Sequence, residues 1–195
     1  ENDGNANPAF AAANIATDAD GATGVYVADL DGDGDLDIIS SSFTDSTIAW
    51  YESDGAADPS FTASDIITTA DGAHDVHVAD MDGDGDLDIA YTSSNDDTVA
   101  LYLNNGAADP SFTAFGADDE IDGATSIFIA DLDGDGDLDG VSAASNSDTI
   151  DWFESNAADV NIDTNATADT DYSASSGTLI FAAGETTKTF TVPVL

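Results

Sequence analysis

The sequence predicts an all-β fold assembled from tandem four-stranded units, each carrying one acidic loop. Three observations lead there. The string ADLDGDGDLD at residues 28–37 returns with a single change, Leu to Met, at 79–88, and unchanged at 130–139, a constant period of 51 residues. Just before each copy, β-branched residues alternate at period two: Val25 and Val27, Val76 and Val78, Ile127 and Ile129. That alternation marks a strand with one buried face. No segment carries a helical period.

The elements of one unit follow in order. The first strand is the alternating stretch ahead of the loop. The second follows the loop, at Ile38-Ile39, Ile89-Ala90 and Gly140-Val141. A polar turn separates it from the third, at residues 47–51, 98–102 and 149–153. The fourth is weaker and follows Pro-x-Phe, at residues 10–17, 61–68 and 112–117. Four strands in about 50 residues is the size of one propeller blade. The third repeat departs from its siblings at Gly140 and Asp151, where they have Ile and Ala, so its strands are expected to pack less closely.

Composition excludes several functions. The 195 residues hold one Lys or Arg against 41 Asp or Glu, a formal net charge of −40, yet 42% are hydrophobic. A disordered acidic tail lacks that apolar fraction, so this chain builds a core. With Lys188 as the single basic side chain besides two His, nucleic acid and anionic membrane surfaces are excluded as partners. No apolar run is long enough for membrane insertion as a helix. The absence of Cys rules out disulfides and thiolate metal sites. The chain starts at Glu1 and shows no signal peptide, which reads as a processed form or an excerpt of something longer.

The loops carry the chemistry. Residues 29–37 hold five carboxylates in nine positions. At ~4 Å and an effective dielectric of about 20, each like-charge contact costs roughly 4 kcal/mol, so such a loop needs a cation to close tightly. The alternating spacing lets Asp29, Asp31, Asp33 and Asp37 face one point, with Asp35 offering its backbone carbonyl. Gly32 and Gly34 permit the tight turns. An all-oxygen donor set favours Ca²⁺ over Mg²⁺. An EF-hand is excluded, because its twelfth loop position needs Glu and here holds Ser40, Tyr91 or Ser142, between strands rather than helices. General acidity for solvation in salt would be spread along the chain, whereas 15 of the 41 acids sit in three loops of fixed spacing.

The string VYVADLDGDGDLDIISSS with the following TIAWYES resembles the FG-GAP/VCBS repeat of integrin-like β-propellers over residues 1–156. The resemblance implies propeller-type blades with a Ca²⁺ loop between the first two strands of each. It implies three Ca²⁺ sites. The ligands would be Asp29, Asp31, Asp33, Asp35 and Asp37 in the first, and Asp80, Asp82, Asp84, Asp86 and Asp88 in the second. Asp131, Asp133, Asp135, Asp137 and Asp139 would form the third.

From residue 157 the period is lost. Residues 178–182 and 188–192 alternate around Ala183-Gly184, a hairpin signal. The string ATADTDYSASSGTLIFAAGETTKTFTVPVL resembles the Calx-beta motif, which implies a partial immunoglobulin-like β-sandwich segment over 157–195. The match is less than half of a ~100-residue sandwich. Leu179, Phe181, Phe190 and Val192 would then need a partner strand. No calcium is assigned to this segment.

Three blades are fewer than the four to eight that close a ring. The repeats open on a fourth strand and stop after a third, so self-association through open β edges is expected, as a ring or a filament. Other candidates for chemistry are weaker. His74 and His77 point to opposite faces of one strand and cannot share a metal. The siblings hold Tyr26 and Phe128 at the His77 position, which marks it as a packed ring. Trp50 and Trp152 read as core, since Leu101 takes the same position. Asn165-Ala-Thr167 is a glycosylation sequon by pattern alone. No nucleophile–base–orienter set can be assembled, so the chain reads as no enzyme. The sum is a non-enzymatic, calcium-stabilised scaffold for adhesion or surface-fibre assembly. The resemblance implies a secreted or cell-surface protein of bacterial type. The alternative is an excerpt of a larger secreted propeller that binds or processes carbohydrate, with a carbohydrate or cell-surface ligand.

Overall fold

Short strands joined by tight turns pair with their neighbours in sequence, because short loops cost the least entropy to close. The computed structural model obeys that rule throughout. It describes residues 12–118 and 120–155, all within one unit, Glu1–Ser155. The first sheet is an antiparallel meander of β1 (Ala22–Ala28), β2 (Asp37–Ser42), β3 (Thr47–Ser53) and β4 (Phe61–Ile67). The second repeats it with β5 (Ala73–Ala79), β6 (Asp88–Ser93), β7 (Thr98–Asn104) and β8 (Phe112–Asp118). The third has three described strands, β9 (Ala124–Ala130), β10 (Asp139–Ala144) and β11 (Thr149–Phe153). The described residues are thus all-β, in blade-like sheets.

Each acidic loop joins the first two strands of its sheet, as expected. One expected strand is corrected. Of residues 10–17, the described part, 12–17, forms no strand. In the first two sheets the fourth strand pairs with the third strand that precedes it, and among the described residues no strand precedes residues 12–17. The hairpin at 178–192, the sandwich segment, Asn165 and Lys188 lie outside the described residues.

The sheets pack through their first strands: β5 lies beside both β1 and β9. Period-two alternation decides what fills the seams. Ile39, Ile48 and Trp50 of the first sheet pack with Val76, Val78 and Ile89 of the second. Ala90 and Val99 of the second pack with Ile127 and Ile129 of the third. Trp50 is core, as the sequence suggests, whereas Trp152 is half exposed. Trp50 is buried by the next sheet, and no described sheet follows the third.

Polar ties fix the sheets to one another. The backbone N–H of Ala70 donates to the Ser46 carbonyl at 3.0 Å, and that of Ile121 to the Asp97 carbonyl at 3.0 Å, so each linker is anchored to the sheet it leaves. Thr23 donates its hydroxyl to the Ala73 carbonyl at 2.9 Å. Asp75 accepts from the Ser126 hydroxyl at 2.9 Å and from the Ile127 N–H at 3.1 Å. Positions 24, 75 and 126 are equivalent in the three repeats, and they hold Gly, Asp and Ser. A Cβ at Gly24 would press on the Asp75 backbone at 3.1 Å, so the small residue lets β1 come close.

The aromatic position of the first strand forms a continuous stack. The His77 ring lies 4.8 Å from Tyr26 and 4.8 Å from Phe128, centroid to centroid. This is the packed role expected from its siblings. Burial holds the His77 imidazole below its ordinary range, against the opposing pull of Asp75. The unfolded chain therefore takes up this proton first, near pH 6.5, and stability is lost as pH falls below that value. His77→Phe copies the third repeat and removes the titration. In denaturant unfolding at saturating calcium, the variant is expected to gain stability relative to the parent as pH drops from about 7 to 5. A constant difference across that range would refute the assignment.

Candidate metal centres

An aspartate-rich loop can fold without burying free donors, because each carboxylate can accept from a backbone N–H two residues on. All three loops do this. The N–H of Asp33 donates to Asp31 at 3.2 Å and that of Asp35 to Asp33 at 2.9 Å. The same ladder runs from Asp84 to Asp82 and from Asp86 to Asp84, at 3.1 and 2.9 Å. It recurs from Asp135 to Asp133 and from Asp137 to Asp135, at 3.1 and 3.0 Å. The first aspartate of each loop closes it, accepting from Gly34, from Gly83 and Gly85, or from Gly134. The loop glycines take positive φ, from +75° at Gly32 to +105° at Gly136, which L-residues with a Cβ rarely adopt.

The ninth position is built differently. Asp37, Asp88 and Asp139 are buried at the start of β2, β6 and β10. Each spreads its two oxygens over two backbone donors. Asp37 accepts from Leu30 at 3.2 Å and Ser53 at 2.9 Å. Asp88 accepts from Met81 and Asn104, both at 2.8 Å. Asp139 accepts from Leu132 at 3.1 Å and Ser155 at 2.8 Å. One carboxylate thereby joins the loop to the far end of the third strand.

The carboxylates converge in threes. Oxygens of Asp29, Asp31 and Asp33 lie within 4.8 Å of one another, as do those of Asp80, Asp82 and Asp88, and of Asp131, Asp133 and Asp135. Four of the five expected positions thus enter a cluster somewhere: the first, third, fifth and ninth. The seventh stands apart. The Asp35 and Asp86 carboxylates lie against Gly55 and Gly106, where an added Cβ would overlap them. A side chain turned that way leaves position seven its main-chain carbonyl as the available donor.

Electrostatics show the cost of this crowding. Burial raises the Asp31 carboxyl above its usual range, opposed by the Asp33 N–H and helped by the charges of Asp33, Asp37 and Asp29. Burial likewise raises Asp88 against the N–H bonds of Asn104 and Met81. At Asp133 the Asp135 N–H pulls downward, but burial and the charges of Asp135, Asp139 and Asp131 together win. Asp139 goes the other way, lowered first by the Ser155 N–H. There the hydrogen bonds, from Ser155 first and then Leu132, outweigh the opposing effect of burial.

One oxygen decides whether a cation fits. Asp29 uses Oδ2 for the Gly34 N–H, while its Oδ1 is buried and meets no donor at all. A buried carboxylate oxygen without a partner is costly, and no side-chain cation stands in any of the loops. Clustered carboxylate oxygens of this kind suit a hard divalent ion such as Ca²⁺.

Sequence reasoning missed two contributors. Asn104 donates its side-chain amide to the carbonyls of Leu30 and Leu87, at 3.1 and 3.0 Å, tying the first loop to the second sheet. Its siblings are Ser53 and Ser155, so the repeat gave no warning. Gly55 and Gly106 recur at the 51-residue step and could have been found by their period.

The FG-GAP-like repeat model matches residues 33–91 and 82–142, so each match starts inside one acidic loop and runs through the next. Together they span more than half of the chain. The chain belongs to the FG-GAP-like repeat family. A Calx-beta domain model matches residues 157–195. No curated protein matches the chain. FG-GAP-like repeats and Calx-beta domains are known calcium binders, typically non-enzymatic and typically found in extracellular or surface-exposed, adhesion-type repeat proteins. Among the described residues no helix is long and apolar enough to cross a membrane.

The two kinds of loop aspartate separate by experiment. Asp88→Asn puts an amide against a buried N–H and is expected to cost about 2 kcal/mol even in chelator. Asp84→Asn, at an exposed position that keeps its acceptor, is expected to cost less than about 0.5 kcal/mol in chelator. Urea unfolding of both variants in chelator checks this, and equal losses would contradict the division of roles.

Proposed function

We propose that this chain is a non-enzymatic, calcium-stabilised scaffold that works outside the cell, in adhesion or in building a surface fibre. The observation that carries the reading is the buried, donor-free Oδ1 of Asp29 inside a carboxylate cluster that recurs in each repeat. In this reading, Asp29, Asp31, Asp33 and Asp37 and their equivalents supply side-chain oxygens. Asp35, Asp86 and Asp137 supply main-chain carbonyls.

Calcium binding is then folding energy. At free Ca²⁺ of about 100 times Kd each site adds about 2.7 kcal/mol, and three independent sites add roughly 8 kcal/mol. That equals the whole stability of many domains. Millimolar extracellular calcium fills even weak sites of this type, and resting cytosolic calcium does not. Bound ions also cancel repulsion in a chain that sets one Lys or Arg against 41 Asp or Glu.

The test is thermal unfolding in calcium and in chelator at equal ionic strength. The parent is expected to gain on the order of 10 °C or more from calcium. Asp33→Asn, Asp84→Asn and Asp135→Asn combined should abolish most of that gain. A triple variant stabilised by calcium like the parent would overturn the reading.

A further inference from the structure

Among the described residues the seam between sheets is made twice, and each half of it is left over once. On the leading side, Val76 and Val78 of β5 are 2% and 4% exposed because the first sheet covers them. Their equivalents in β1, Val25 and Val27, are 70% and 54% exposed. On the trailing side, Ile48 and Trp50 of β3 are buried under the second sheet. Their equivalents in β11, Ile150 and Trp152, are 72% and 53% exposed. The aromatic stack ends in the same way: Phe128 covers His77, and its own outer side is exposed.

We infer that the trailing face of the third sheet docks on the leading face of the first sheet in a second copy of this chain. Ile150 and Trp152 would meet Val25 and Val27 as Ile48 and Trp50 meet Val76 and Val78. Phe128 would meet the copy's Tyr26. The occupant follows from continuity with the seams already formed. The two exposed faces are the two halves of one repeated contact, carried on surfaces that differ from each other. The contact is therefore heterologous, and each copy keeps one free head and one free tail. Apolar side chains supply the attraction, because both partners carry the same negative charge. Salt and filled calcium loops are needed to screen it. In that respect the inference rests on the scaffold reading.

The experiment is sedimentation velocity at about 100 µM protein, a concentration that reveals even weak association, with millimolar calcium and physiological salt. One variant carries Val25→Glu and Val27→Glu, which blocks the head. The other carries Ile150→Glu and Trp152→Glu, which blocks the tail. The parent is expected to form species larger than one chain, increasing with concentration. Each variant alone is expected to stay a monomer, and a 1:1 mixture should give a dimer and stop there. A milder tail variant, Trp152→Ser alone, should shift the parent's association to higher concentration. Circular dichroism and calcium-dependent melting establish that every variant folds.

A parent that calcium stabilises but that stays monomeric would overturn the docking and leave the scaffold reading standing. So would blocked variants that assemble like the parent, or a mixture that stays monomeric. A parent whose melting ignores calcium would overturn the scaffold reading instead.

Discussion

Five carboxylates must fit into nine residues, three times over, and most of the architecture answers that constraint. Within each loop, charge is spread onto backbone N–H groups: the aspartates at loop positions three and five accept from the residue two further on, and that at position one from the glycines. The ninth is withdrawn from solvent and spent on two backbone donors. The loop therefore does not hang from the sheet. It is bolted to the end of the third strand through Asp37, Asp88 or Asp139, so any change in loop geometry is transmitted to the strand that forms the seam. The Asn104 amide extends this coupling from the first loop to the second sheet. Acidic loop, sheet and seam form one mechanical unit.

The buried seam residues are mostly Ala, Val and Ile, joined by Leu30, Trp50 and Tyr91, and the inner strands approach closely where Gly24 leaves room for Asp75. In the reading proposed above, ion binding at the loops adds to the stabilisation these seams supply. In that reading, the charge that repels within each loop is the charge that recruits the ions.

Much of this was legible in the sequence, and the rest was not for definite reasons. Strands β1, β5 and β9 were readable because β-branched residues alternate at period two, on a face that is buried in β5 and β9 and exposed in β1. His77 was readable as packing because its siblings are Tyr26 and Phe128. The loops were readable because glycine and aspartate recur at fixed spacing. The double role of Asp37 was hidden, since spacing alone does not separate a metal ligand from a hydrogen-bond acceptor. Asp75 and Asn104 were hidden because their partners lie in other repeats and their siblings are different residues. Residues 12–17 misled because a strand pattern needs a neighbour to pair with. Trp152 misled because its siblings are covered by a following sheet, whereas Trp152 has none among the described residues.

In the scaffold reading, each loop holds one divalent ion. Calcium titration by calorimetry on chelator-stripped protein tests it most directly. The account predicts saturable binding of three ions per chain, falling to two when Asp29→Asn disables the first loop. Non-saturable binding, or a stoichiometry that the substitution leaves unchanged, would contradict it.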